Sequence, residues 1–301
     1  MRNTMTQIAR LLMISMNLLV SHPAGTQAFG AGTAAVTNRG PLGANVADDS
    51  HTFDNPPVVL PATSPDLAMQ VYHQRTLRQA ERLAGFSATT TMHVELPDLA
   101  RKGEYVVRSH YLAPCTLEFN SVHFSGDSFV KASVMVRMLQ SEADHVRKRE
   151  GVLTALTSDN YKFSQSETLQ INGRPVHAFD AKPRGKRSGL FRGRIYLNRT
   201  TGALVRAEGT FVKTPSFFIK KISFVQDYAE FGDFTFPVHV HVVALTRVLG
   251  RAVVDIYHRD YQSVSANPSL ATGNDGTADW AQLPNRGRQI DPQAFSDPAV
   301  Q

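Results

Sequence analysis

Cysteine and tryptophan are almost absent from this sequence of 301 residues, which contains one of each. A single cysteine cannot form an intrachain disulfide, so the fold cannot depend on a disulfide framework. A reactive thiol normally lies near a base or a helix N-terminus. Cys115 instead stands in the extended run Cys115-Thr-Leu-Glu-Phe119, so we predict that it is a small strand residue.

Motifs that carry chemistry are missing as well. The sequence has no nucleophile elbow, no HExxH and no P-loop. His239 and His241 are two residues apart, a spacing that can chelate zinc, but the polar alternation of a strand explains the pair. We therefore expect a protein that is not an enzyme and that holds no metal or other cofactor. A hydrolase with an unrecognised site is the alternative.

Long apolar runs are absent except for a short one near the N-terminus. Arg2 and Arg10 form a positive region before the apolar run 11–20, and Thr26-Gln27-Ala28 is a plausible cleavage site. The apolar run is too short to cross a bilayer comfortably. We predict that residues 1–28 are a signal peptide and that the mature protein is exported and soluble.

Basic residues slightly outnumber acidic ones: the sequence has 32 Lys and Arg and 26 Asp and Glu, which gives a formal net charge of +6. A basic balance favours anionic partners such as lipid head groups, whereas export argues against nucleic acid. One short segment concentrates basic residues, which predicts a patch for anionic head groups or an acidic partner, with a solvated hairpin loop as the alternative. The patch consists of Lys182, Arg184, Lys186, Arg187, Arg192 and Arg194.

Composition divides the rest of the chain into three parts. Residues 29–63 are rich in Gly, Ala, Thr, Asn and Pro, which is typical of a flexible leader. Residues 266–301 have a similar composition and are predicted to be a flexible tail. The folded domain is therefore predicted over 64–265.

Two helices and about ten strands are predicted within this domain. Ser64-Pro65-Asp66 has the chemistry of a helix start, and this helix is predicted to end near residue 84. A second amphipathic helix is predicted over 129–149, and the remainder is β-strand, with Asn172-Gly173 as the strongest hairpin signal. Because helices and strands do not alternate, the fold class is mainly β with α (α+β), a curved antiparallel sheet covered by two or more helices. The first helix is given an apolar stripe of Leu67, Val71, Ala80 and Leu83.

One face of the predicted sheet is apolar. In the segment 234–242 every second residue is Phe or Val, and the residues between them are Thr, Pro and His. Such a face either lines a cavity or packs on the helices as a dry core, and the pattern alone leaves both open. In a cavity, each buried acyl methylene contributes about 0.8 kcal/mol, and methionines on a covering helix suit an adaptable lid.

Several segments resemble the outer-membrane lipoprotein-sorting proteins, the LolA-like carriers of bacteria with two membranes. The resemblance covers about residues 129–263 and is one of motif spacing rather than of a catalytic signature. It lies in Asn160-Tyr161-Lys162-Phe163, in Leu190-Phe-Arg-Gly-Arg-Ile-Tyr-Leu-Asn198 with Thr200-Thr-Gly202 and Val205-Arg206-Ala-Glu-Gly209, and in Tyr228, Phe231-Gly-Asp-Phe-Thr-Phe-Pro237, Ile256 and Asp260-Tyr261.

The resemblance implies an unclosed half-barrel with a helical lid and an apolar cavity that holds acyl chains of lipids or lipoproteins in the periplasm. It implies a monomer whose further partners are envelope transport proteins and, transiently, a membrane surface. An envelope sensor that binds proteins with the same half-barrel is the alternative. The residues expected to line the cavity are Met135, Met138, Phe191, Ile195, Phe211, Phe224, Phe234, Phe236, Val240, Val254 and Ile256.

Overall fold

The structure is a computed structural model, and it describes residues 63–214, 217–247 and 250–266. The predicted signal peptide lies outside the described residues. So do the leader and the tail, apart from Thr63 and Ala266. Their assignment stays a prediction. None of the helices in these ranges combines the length and the hydrophobicity needed to cross a membrane.

Two helices form where the sequence predicts them. Helix α1 spans Pro65–Arg82, and the side chain of Ser64 caps it by accepting a hydrogen bond from the amide of Leu67 at 3.3 Å. Helix α2 begins at Ser128–Val130, passes through a π-helical turn, Lys131–Met135, and continues as Val136–Arg147. Asp127 caps α2 by accepting from the amides of the second and third residues that follow it.

Ten strands make a single sheet. Antiparallel pairing joins them in the order β3-β2-β1-β10-β9-β8-β7-β6-β5-β4, and β3 and β4 do not pair with each other, so the sheet is not closed. This confirms the predicted fold class: an unclosed half-barrel covered by helices. The strands are β1 Leu83–Leu96, β2 Arg101–Leu112, β3 Thr116–Gly126, β4 Tyr161–Ile171, β5 Arg174–Pro183, β6 Phe191–Asn198, β7 Leu204–Phe211, β8 Ile219–Phe231, β9 Phe234–Thr246 and β10 Arg251–Ser265.

The two faces of the sheet differ in chemistry. The face that carries Ile195, Phe224 and Val240 is buried against the helices, and we call it the helix-side face. The opposite face, the outer face, carries Arg194 and His239. Most of the core is one continuous apolar cluster on the helix-side face, to which α2 contributes five buried side chains: Val130, Val134, Met135, Met138 and Leu139.

The two helices are held on the sheet by different forces. Helix α1 uses polar bonds: Arg75 pairs with Glu230 at 2.9 Å, and the Gln79 amide both donates to the carbonyl of Thr235 (3.1 Å) and accepts from its amide (2.8 Å). Helix α2 packs chiefly through the apolar side chains named above. Helix α1 thus has side-chain bonds to β8 and β9, whereas the start of α2 is attached to β2 by the amide of Asp127, which donates to the carbonyl of Lys102 at 2.9 Å.

Two details differ from the sequence prediction. Helix α1 buries Ala68, Tyr72, Gln79 and Ala80, whereas Leu67 is 46% exposed. Of the predicted stripe, Ala80 is buried, Val71 is half-buried, the prediction for Leu67 is wrong, and Leu83 is buried but begins β1 instead of belonging to the helix. Cys115 is a turn residue that directly precedes β3, not a strand residue, and it is half-buried.

Strands β6 and β7 approach closely at a pair of glycines. Gly193 and Gly209 are opposite each other in the ladder. A Cβ atom added to Gly193 would lie 1.8 Å from the carbonyl oxygen of Glu208, and one added to Gly209 would lie 2.8 Å from Cδ2 of Phe191. The missing side chains therefore let the strands and the Phe191 ring pack together.

We expect Gly193→Ala to lower the free energy of unfolding by at least about 2 kcal/mol, because the backbone of β7 must shift to accept the methyl group. Urea denaturation followed by circular dichroism would measure this. Gly185→Ala is the matched control, since a Cβ atom there meets nothing within 4 Å. Equal midpoints for the two variants would contradict the close approach.

Candidate functional site

The residues predicted to line a cavity lie on the helix-side face. All eleven are at most 6% exposed. Nine of them belong to the main cluster together with the apolar residues of α2: Met135, Met138, Phe191, Ile195, Phe211, Phe224, Val240, Val254 and Ile256. The structure therefore brings these nine together in one apolar layer between the helices and the sheet, and their role as a ligand-binding lining stays a prediction.

Aromatic rings form the centre of this layer. The ring of Phe224 meets that of Phe191 edge-on at 5.0 Å between centroids and that of Phe211 at 5.4 Å. Tyr161 extends the row, 5.4 Å from Phe191, and its hydroxyl accepts a hydrogen bond from the Phe191 amide at 3.3 Å. Such contacts fix ring orientations more firmly than aliphatic contacts do.

Phe234 and Phe236 belong to a second, smaller cluster. The Phe236 ring stacks on Tyr261 with 4.6 Å between centroids and also contacts Phe86 at 5.3 Å. The Tyr261 hydroxyl donates to the carbonyl of Pro237 at 2.8 Å. These two predicted lining residues are therefore separated from the other nine.

Space between the elements is limited in this structure. Two hollows next to α1 have volumes of about 20 and 60 Å³. The first is lined by Tyr72, Arg75 and Tyr228 among others, and the second by Arg78 and Asp233 among others. Volumes of this size hold one or a few water molecules. Neither hollow has room for an acyl chain, so a chain could enter the apolar layer only if side chains or a helix moved.

One carboxyl group in this part of the structure is buried, and one of its oxygen atoms has no hydrogen-bond partner among the described residues. The residue is Glu142, on α2, and the atom is its Oε1. Burial raises the pKa of Glu142 to about 8. Its nearest titratable neighbour is Tyr261, whose pKa is raised first by burial and further by the charge of Glu142. At neutral pH the seated helix therefore holds Glu142 protonated.

A buried hydroxyl and imidazole chain lies on the helix-side face of β1, β2 and β10. The Oγ1 atom of Thr90 is 2.8 Å from Oγ of Ser109 and 3.0 Å from Nδ1 of His258. Burial, with the positive charge of His239 second, lowers the pKa of His258 to about 4. The Ser109 hydroxyl donates to the carbonyl of Ala88. The hydroxyls are thus engaged within the fold, and the arrangement gives no specific support to a hydrolase.

The outer face carries a network of charged side chains around the two predicted histidines. His239 Nε2 and His241 Nδ1 lie 3.3 and 2.8 Å from the same oxygen of Asp255. Asp227 lies 3.7 Å from His239 Nδ1 and accepts from Arg206 Nε at 2.6 Å. Burial opposes the charge of His239, but the bonds to Asp227 and Asp255 outweigh it and raise its pKa to about 9.

His239 therefore belongs to an ion-pair network with Asp227 and Asp255, and His241 contacts the same oxygen of Asp255. Burial alone would raise the pKa of Asp255, but its hydrogen bonds to the two imidazoles hold that pKa well below its usual range. Within the described ranges, no group of three or more His, Cys, Asp and Glu side chains is arranged to hold a metal ion.

The predicted basic patch is divided between bound and unbound side chains. Arg194 pairs with Glu167 at 2.8 Å and Asp180 at 3.1 Å, so its charge is neutralised locally. Arg184 and Arg187 donate to the carbonyl of Ser158 and to the Asn160 side chain, which ties the β5–β6 loop to the segment before β4. The remaining three residues are exposed to solvent: Lys182, Lys186 and Arg192.

Sequence reasoning missed two groups. Glu142 follows Met138 and Leu139 at helical spacing, which puts it on the apolar side of α2, but its ionisation state depends on burial that the spacing cannot reveal. Phe217 and Phe218 are 78% and 41% exposed in the β7–β8 connection, and the signal that could have found them is the Phe-Phe pair directly before Ile219-Lys-Lys221.

No family model matches the chain, and no curated protein matches it. Similar solved structures include an outer membrane lipoprotein-sorting protein domain from Vibrio parahaemolyticus, at 12% identity and a TM-score of 0.39 over 70% of this chain and 94% of that one. A DUF1329 family protein from Desulfovibrio piger has 11% identity and a TM-score of 0.35, with coverages of 66% and 92%. A LolA superfamily protein from Nitrosomonas europaea has 10% identity and a TM-score of 0.33, with coverages of 69% and 96%.

The sequence resemblance and these structures name the same kind of protein, but structures this distant do not assign the chain to a family. At these identities and TM-scores the likeness carries no argument about ligand, partner or site residues. The assignment of a function therefore has to come from the geometry of the interior and of the surface.

We predict that Glu142→Gln changes how stability depends on pH. Because the folded protein holds the Glu142 proton up to a pKa of about 8 and the unfolded chain releases it near the ordinary value of 4.5, wild-type stability falls as pH rises between these values. The slope from this group is at most about 1.4 kcal/mol per pH unit. The amide cannot ionise, so the variant should lose this slope and become the more stable protein near pH 8.

Urea unfolding at several pH values between 5 and 9 would measure the difference; these limits bracket the pKa of about 8. Glu81→Gln, at an exposed position of α1, is the control and should follow the wild type. Parallel curves for Glu142→Gln and the wild type would show that this carboxyl is solvated in solution.

Proposed function

We propose that the protein is an exported, periplasmic carrier or binding protein for the acyl chains of lipids or lipoproteins. The chains are held between the helix-side face of the sheet and α2, after α2 has moved away from the sheet. The protein acts by binding and release rather than by catalysis, and it needs no cofactor.

The observation that carries this proposal is the continuous apolar layer beneath α2. Nine residues that were selected from the sequence as a cavity lining contact one another there, and they come from five strands and one helix. An apolar layer between an open sheet and a helix that packs chiefly through apolar contacts can accept a hydrocarbon chain in place of the helix side chains. Each acyl methylene that enters contributes about 0.8 kcal/mol, which offsets the contacts that α2 gives up.

Features of α2 support its role as the moving element. Met135 and Met138 are unbranched and adapt their shape to a new neighbour. The π-helical turn at Lys131–Met135 interrupts the regular hydrogen-bond pattern near the start of the helix, and such turns are frequent at functional sites. The unpartnered carboxyl of Glu142 gains hydration when α2 lifts, which lowers the cost of opening.

A second candidate function, a sensor that binds protein segments, is favoured by the open edges of the sheet. Edge strand β3 has 11 residues, and most of its side chains are exposed, including Val122 at 64%. Edge strands offer unpaired backbone groups to which an extended peptide can add. A stoichiometric protein captured by the purified chain, with no lipid bound, would favour this alternative.

The carrier proposal is tested by binding of a fluorescent fatty acid to the purified protein. We expect saturable binding, and we expect Met138→Gln to weaken it about tenfold, because a polar amide then lies in the apolar layer and an unpaired amide costs on the order of 1–3 kcal/mol. Extraction of the purified protein followed by mass spectrometry should find co-purified lipid.

The control is Leu153→Gln, a similar change at a residue that is 51% exposed outside the layer. Circular dichroism and thermal unfolding would confirm that both variants are folded. Absence of saturable binding in the folded wild type would refute the proposal. Equal affinity for Met138→Gln and the wild type would place the acyl chain elsewhere.

A further inference from the structure

An exposed aromatic pair stands at one end of the half-barrel. The β5–β6, β7–β8 and β9–β10 connections all lie at this end, because β5, β7 and β9 finish there and β6, β8 and β10 begin there. Phe217 is 78% exposed and Phe218 is 41% exposed, and their rings are 6.1 Å apart at 76°. Large apolar side chains grouped at a surface mark contact sites more often than isolated ones do.

The pair is held in place by the neighbouring turn rather than by the core. The amide of Arg247 donates to the carbonyl of Phe218 at 2.7 Å, and its Nε donates to the carbonyl of Phe217 at 2.9 Å. The guanidinium lies 4.6 Å from the centroid of the Phe217 ring. The next residue, Ile219, is only 3% exposed and fixes the start of β8 in the core. Phe217 is therefore presented outward by an anchored backbone.

Cations surround the two rings. Lys213, Lys220 and Lys221 are exposed within four residues of the pair, and Arg247 covers one ring. In the described parts of the chain, none of these four cations is paired with an Asp or Glu carboxylate. Acidic residues also reach this end: Asp98 accepts from the amide of Arg251, Asp127 pairs with Arg101 at 3.7 Å, and Asp159 is exposed just before β4. The exposed members of the basic patch on β5 and β6, Lys182 and Arg192, add charge at the same end.

Exposed aromatic side chains that are surrounded by cations are suited to the interface of an anionic bilayer. Rings partition to the boundary between head groups and acyl chains, and Lys and Arg contact the head-group phosphates around them. A protein partner would need an apolar pocket surrounded by acids, which is a more demanding requirement than the charge and apolar depth that every anionic membrane offers. Residues 1–28 are predicted to be an export signal, so a membrane surface would be available to the mature chain.

We propose that this end of the half-barrel docks on anionic phospholipid membranes, with Phe217 and Phe218 inserted at the interface and Lys213, Lys220, Lys221 and Arg247 on the phosphates. The proposal deepens the carrier function by naming the surface that meets the membrane. It does not depend on acyl-chain binding, because a protein that never opens its interior could still dock in this way.

Co-sedimentation with vesicles tests the docking. The full mature chain should bind vesicles of phosphatidylcholine mixed with phosphatidylglycerol and should bind pure phosphatidylcholine much less. We expect the double variant Phe217→Ala, Phe218→Ala to lose about tenfold in affinity, since a half-inserted ring contributes roughly that factor. Lys220→Glu with Lys221→Glu should lose a similar factor and most of the salt dependence. The controls are Val122→Ala, an exposed apolar residue on β3, and Arg78→Glu, an exposed cation on α1.

Insertion can be observed directly, because the chain has a single tryptophan, Trp280. In a Trp280→Phe background, Phe217→Trp should shift its emission to the blue when anionic vesicles are added, whereas Val122→Trp should not. Sedimentation without any shift, or an unchanged affinity of the double alanine variant, would overturn insertion and leave only general charge attraction. No binding by the folded wild type would overturn docking altogether, and fatty-acid binding measured on the same sample would then still decide the carrier function separately.

Discussion

A sheet with one apolar face and no second sheet opposite depends on whatever covers that face. Here the cover is two helices, and the main cluster buries side chains of both helices against nine of the ten strands. Burial of this kind is non-directional and scales with area. The helices can therefore be fixed in place only by additional polar bonds, and the chain supplies them unequally.

The difference in polar bonds between the two helices relates the fold to its proposed function. Helix α1 is bonded to the beginning of β9 through Gln79 and to the end of β8 through Arg75, so it keeps the sheet and the first helix as one unit. Helix α2 carries methionines, a π-helical turn and a carboxyl without a partner. These features support α2 as the element that is proposed to move.

The periodicity of the sequence was sufficient to predict the helices and strands, but it was not sufficient to predict the candidate functional site. The two helices and ten strands follow from alternation, caps and turn residues, since each is local in sequence: Ser64 starts α1, and Asn172-Gly173 closes β4 to β5. The filling of the interior is not local. Whether Phe224 lines a cavity or packs on Phe191 and Phe211 depends on strand register and on the missing side chains at Gly193 and Gly209. Likewise, cross-strand neighbours decide which residues of the basic patch are paired, since Glu167 and Asp180 bind Arg194.

The two proposed activities place opposite demands on one fold and use different groups. Acyl binding needs an apolar interior that opens, and it concerns the layer between the helices and the helix-side face of the sheet. Membrane docking needs an apolar group that stays exposed, and it concerns a short connection whose backbone is fixed by Arg247 and Ile219. Phe217, Phe218 and Arg247 belong to the β7–β8 and β9–β10 connections, whereas α2 begins at the same end of the sheet directly after β3. Docking would raise the local concentration of lipid beside the apolar layer to which Met135 and Met138 contribute.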